Sequence, residues 1–154
     1  MKNNFGHTLP YSDIHTHIGQ FYDTKYDYHD IFKALKNNGV TETTFAYLTP
    51  LFTESKPAIE FYKAMTEETK EAVDFAKEIG LKVNPLYWID PMVLFGGITL
   101  ESILNDLDYK GLVVHPFLND WNPADKKRAD LLTKVFEFAK ENNLRVYDEY
   151  IDDG

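Results

Sequence analysis

The chain of 154 residues contains no cysteine. Disulfides, a thiolate nucleophile and cysteine-type zinc sites are therefore excluded. It is also short of positive charge: 16 lysines and arginines stand against 25 aspartates and glutamates, a formal net charge of −9. No Lys/Arg-rich run appears, which argues against nucleic acid and against an anionic membrane surface as partners. No stretch approaches the roughly 18 successive apolar residues that a membrane-spanning helix needs. The opening segment, MKNNFGHTLPYSD, has no apolar core of signal-peptide length, so the expected location is cytoplasmic. There is no glycine-rich phosphate loop and no serine nucleophile elbow.

What is present is a folded composition, 44% hydrophobic and 15% aromatic, at a length suited to one domain spanning residues 1–154. Short β-rich runs alternate with amphipathic helical runs. Ser12–His17 reads as a first strand. Tyr28–Asn38 reads as a helix, with Ile31, Phe32 and Leu35 at helical spacing and Gly39 at its C-terminal cap. Thr43–Leu48 is β-branched and aromatic, and Pro50 stops it. Ser55–Ile79 is a long helical stretch with a break expected near Thr66. Lys82–Ile89 is strand-like, with Pro85 predicting a bulge or an early stop. Thr99 can cap a short helix over Leu100–Leu107. Gly111–His115, GLVVH, has the continuous apolar character of a buried parallel strand. Asn122–Pro123 predicts the start of a helix over Ala124–Asn142, and Arg145–Tyr150 a fifth strand.

Strands alternating with helices predict an α/β fold with right-handed crossovers and a parallel sheet. Two architectures fit: part of a (β/α)₈ barrel with about five strands and four helices, or an open doubly wound sheet. Both put ligand sites at the carboxyl ends of the strands.

The chemistry concentrates in Ser12–Gln20, SDIHTHIGQ. Alternation along a strand points His15 and His17 the same way, with Cβ atoms roughly 6.6 Å apart. Two imidazoles so placed can share one divalent ion at about 2.1 Å each, zinc being the natural choice for nitrogen ligands. Asp13 belongs to the same face one step deeper, and Gly19 permits a tight turn out of the strand. The structural alternative is one histidine hydrogen-bonded in the core and the other at the surface. His115 ends an apolar strand at the functional rim, either as a further ligand or as a residue that holds the loop. Asp90 and Asp120 sit on loops after the third and fourth strands, where they could face substrate. Lys110 stands at the wrong end of its strand to be a carboxylated bridging lysine. The tyrosines Tyr22, Tyr26 and Tyr28 read as a packed loop.

DIHTHIG on a first strand resembles the amidohydrolase superfamily of metal-dependent hydrolases. YKGLVVHPFLNDWNPADKKRADLLTKVFEFAKENNLRV looks like the fourth strand, loop and helix of the branch that includes aminocarboxymuconate-semialdehyde decarboxylase. The resemblance spans the chain in element order and is specific at Asp13–Gly19 and Lys110–Pro116. It implies that His15 and His17 are metal ligands, and that a metal-bound water attacks an ester, amide or carboxylate-type small-molecule substrate. The family pattern continues with a histidine on strand five, another on strand six and a catalytic aspartate after strand eight. Here RVYDEYIDDG stands in place of strand five, Glu149 lies near the expected histidine, and the later strands are missing. The expectation is of a chain cut short after about strand five, with Glu149, Asp120 or a second subunit standing in for the aspartate, or of an inactive metal-binding or structural remnant. An interrupted barrel leaves two sheet edges open to pairing. Wetting several hundred Å² of its inner face at about 25 cal/mol per Å² would cancel much of a typical stability. The sequence therefore predicts either a homo-oligomer that closes the barrel or an open sheet with helices on both faces.

Overall fold

The computed structural model describes residues 11–21, 23–48, 58–115 and 124–148. They form an α/β fold in the order β1 (Tyr11–Phe21), β2 (Thr24–Tyr26), α1 (Tyr28–Asn37), β3 (Val40–Leu48), α2 (Ala58–Glu78), β4 (Lys82–Trp88), α3 (Pro91–Phe95), α4 (Leu100–Asp106), β5 (Gly111–Val114), α5 (Lys126–Glu141) and β6 (Arg145–Asp148). One six-stranded sheet runs β2-β1-β3-β4-β5-β6. Five of its strands are parallel, and the short β2 folds back antiparallel on the end of β1, Gly19 facing Tyr26.

Local chemistry explains most boundaries. Asp27 caps α1 by accepting from the His29 amide at 2.8 Å, and Thr99 caps α4 by accepting from Ser102 at 3.1 Å. The last helix starts at Lys126 and not at Ala124, because the Asp125 carboxylate takes the amides of Lys127 and Arg128. The break expected near Thr66 does not occur: α2 is continuous, and the buried Thr69 hydroxyl donates back to the Met65 carbonyl at 2.7 Å. Nor does Pro85 interrupt β4, whose register with β3 runs through it, Phe45 opposite Pro85. The Pro85 carbonyl turns toward the β5 side and accepts from the Lys110 amide at 2.8 Å. The missing N–H points the same way, and the β4–β5 ladder begins only at Leu86 and Gly111, so no sheet bond is lost.

The parallel strands lie in sequence order with no reversal, and the described helices pack on one face. Ile18 and Phe45 meet α1 and α2, while Tyr87, Ile89, Leu112 and Val114 meet residues of α2 to α5. A doubly wound sheet reverses its strand order and carries helices on each side, and the described residues show neither feature. The opposite face holds Ala46, Leu48, Leu86, Trp88, Val113 and Tyr147. No helix among the described residues covers it, yet Ala46, Leu86, Trp88 and Val113 are each at most 2% exposed. Its side chains pack on one another because the sheet curls. No helix among the described residues is long and apolar enough to cross a membrane.

Candidate metal centre

His15 and His17 both stand on β1, which is three strands removed from β5 and four from β6 in the sheet. Their Nε2 atoms are 2.7 Å apart and the rings are nearly perpendicular, 88°, with centroids at 4.5 Å. At that distance one imidazole donates its N–H to the lone pair of the other. The pair therefore converges on one point, as the alternating geometry of a strand requires. Two nitrogens held by one tetrahedral ion at about 2.1 Å lie about 3.4 Å apart, so an ion replacing the shared proton needs the pair to open by less than about 1 Å. The arrangement in which one imidazole is core and the other surface is not what the structure shows, since both are half-buried and in contact.

Aromatic rings from the far strands frame the pair. Tyr147 of β6 stacks on His15 at 5.9 Å and 18°. Trp88 of β4 lies 5.9 Å from His17 and parallel to His115 at 5.5 Å and 4°, centroid to centroid. His115 follows β5 and is only 2% exposed. Trp88 thus has ring contacts with both His17 and His115. Asp90, 3% exposed, directly follows Ile89 at the carboxyl end of the β4 segment. Among the described residues, no group of three or more histidine, aspartate or glutamate side chains is placed to hold a metal ion. The structure thus brings together His15 and His17.

Asp13 has its backbone in β1, opposite Thr43 of β3, but a register shift lies between Asp13 and Thr16. Asp120 and Glu149 lie outside the described residues. Lys110 precedes β5 at the amino end and pairs with Asp108, the wrong end for a bridging ligand, as its sequence position implied. Trp88 and Tyr147 are the neighbours that sequence reasoning missed. Period-two alternation places Trp88 with Leu86 and Tyr147 with Arg145, but only the pairing of strands brings either ring to the histidines.

The donor set fits a divalent ion in kind and direction, supplying two of the three protein ligands usual at a catalytic zinc site. No protein-family model, curated protein or solved structure matches this chain.

Proposed function

We propose that the chain is a sector of a (β/α)₈-type barrel and a metal-dependent hydrolase of amidohydrolase type, in which His15 and His17 hold a divalent ion, zinc by preference, against a small-molecule substrate. The observation that carries this reading is the 2.7 Å approach of two Nε2 atoms on the concave side of a curled sheet. Bound there, the ion would supply a Lewis acid and a water acidified toward neutrality. The residues themselves do the positioning: Tyr147 fixes the plane of His15, and Trp88 the side of His17.

The stagger of the sheet supports the barrel. Register connects His17 to Ala46, Leu86, Gly111 and Arg145 in turn. Side chains that touch are offset from this line. Trp88 is two residues beyond Leu86 after two strand steps, and the His15–Tyr147 contact spans four residues over four steps. One residue per strand is the stagger of an eight-stranded barrel with a shear of about eight.

A second reading, a metal-binding remnant without turnover, is favoured by the lack of a third ligand among the described residues. Metal analysis and zinc calorimetry on the purified chain, with His15→Ala/His17→Ala as control, test the common ground. The expected result is about one zinc per chain, lost in the double variant. Retention of zinc by that variant overturns both readings. Ester hydrolysis abolished by chelation and restored by zinc then supports the hydrolase, whereas zinc binding with no turnover supports the remnant.

A further inference from the structure

A cavity of about 260 Å³ opens on the concave face at the amino-terminal end of the strands. Leu86 and Tyr147 form its apolar wall, with Thr44 and Asn84 beside them. Gly111 lets that wall close up: a Cβ there would come within 2.8 Å of the Arg145 carbonyl oxygen, 2.9 Å of the Leu86 side chain and 3.4 Å of the Tyr147 ring. Two cations, Lys110 and Arg145, and one carboxylate, Glu42, complete the lining.

The charges are not equivalent. Glu42 accepts from Lys82 at 2.9 Å and from the Asn84 amide at 2.8 Å. The Lys82 contact first, then Asn84, holds its carboxyl below the usual range, so this negative charge is already matched. Lys110 is matched in part by Asp108, an exposed residue that does not line the cavity. Arg145 makes no ion pair among the described residues. An unmatched guanidinium at the mouth of a cavity is conspicuous in a chain of net charge −9.

We infer that this cavity is a binding site for a small oxyanion, a carboxylate or a phosphate, held by the Arg145 guanidinium with Lys110, at the head of the neighbouring strand, beside it. The guanidinium fork matches two oxygens of either anion, and charge-assisted bonds of that kind are stronger than neutral ones. The Thr44 hydroxyl supplies a further donor, and the Leu86–Tyr147 wall accepts the apolar remainder of an organic acid. The site is separate from the histidine pair, although Tyr147 borders both: it lines this cavity and stacks on His15.

The test is a titration of the metal-free full chain with inorganic phosphate and, separately, malonate, at fixed pH and ionic strength, followed by backbone amide NMR. Saturable shifts are expected at Asn84, Gly111 and Arg145 with at least one of the two anions. A tighter phosphate isotherm assigns a tetrahedral oxyanion, and a tighter malonate isotherm a carboxylate. Arg145→Gln should weaken binding at least tenfold, and Lys110→Gln gives the same readout more mildly if the first variant does not fold. Saturable binding by the metal-free chain separates this site from the metal reading. Shifts that rise without saturation for both anions, or an Arg145→Gln chain that binds as tightly as the parent, overturn the proposal.

Discussion

The rings of His15 and Tyr147 stack with centroids 5.9 Å apart, although their strands lie at β1 and β6 with three strands between them. Four strand spacings in a flat sheet measure about 19 Å, farther than two leaning side chains can bridge. The contact therefore measures the curl of the sheet, and the curl is what brings a residue of the last strand onto a candidate ligand of the first.

Tyr147→Ala should remove that tie. The ring is half-buried, so the expected loss is about 2 kcal/mol, below the range for a fully buried aromatic. For a chain of this length that is a fall of roughly 6 °C in Tm. Zinc affinity should fall with it, because the His15 plane loses its support. A variant as stable as the parent would show that the stacking contributes nothing.

Two glycines with positive φ provide a controlled comparison. Gly19 has φ +99° and a Cβ there would stand 2.9 Å from the Tyr47 ring and 3.1 Å from the Leu48 carbonyl oxygen. Gly97 has φ +94° with nothing within 4 Å. Gly97→Ala should carry only the backbone strain, about 1 kcal/mol. Gly19→Ala adds a clash and should cost at least about twice as much by urea denaturation. Equal costs would mean that Tyr47 moves aside freely.

The helix-side core buries tyrosine hydroxyls, which makes stability sensitive to alkali. Burial pushes the Tyr87 phenol well above its ordinary value of 10.0 and, as the largest cause, raises Tyr109 to about 12. A phenol raised in the folded state contributes stability that is complete below pH about 10 and is lost as pH climbs through the folded value. Unfolding free energy should thus decline between pH about 10 and 12. The Tyr87 hydroxyl is buried without a hydrogen-bond partner, so Tyr87→Phe should be neutral or stabilising by up to about 1 kcal/mol at pH 7 and should flatten the alkaline decline. A clear destabilisation at neutral pH would reveal a partner for that hydroxyl.

Asp125 gives the acid counterpart. The Arg128 amide, ahead of that of Lys127, lowers its carboxyl from 3.8. The stabilisation is present above that value and is lost as pH falls through the lowered one. Asp125→Ala should shorten α5 from its amino end, seen as faster amide exchange at Lys127 and Arg128. Asp125→Asn should keep the cap and remove its acid dependence. Unchanged exchange in the alanine variant would discount the cap.

How much of this was legible in the residues follows from the range of each interaction. GLVVH reads as a buried strand because a parallel strand covered on both faces has no polar alternation, and residues 111–114 are all buried. The pairing of His15 with His17 follows from the two-residue period of a single strand. Thr99 as a cap, and the helix beginning at Tyr28, depend on neighbours within one helical turn. β2 escaped notice because TKY is three exposed residues with no apolar pattern. α3 escaped because its five residues are too few to show a helical period.

The amino-acid sequence by itself determined the alternation of strands and helices, the absence of thiol chemistry, and the convergence of two imidazoles on one strand, since each depends on composition or on residues a few positions apart. Only the tertiary structure decided that the sheet keeps its strand order and curls, that Trp88 stacks on His115, that Tyr147 backs His15, and that Arg145 and Tyr147 line one cavity. Those relationships depend on inter-strand register and stagger, which sum small offsets over several crossovers, and no local pattern of residues encodes that sum.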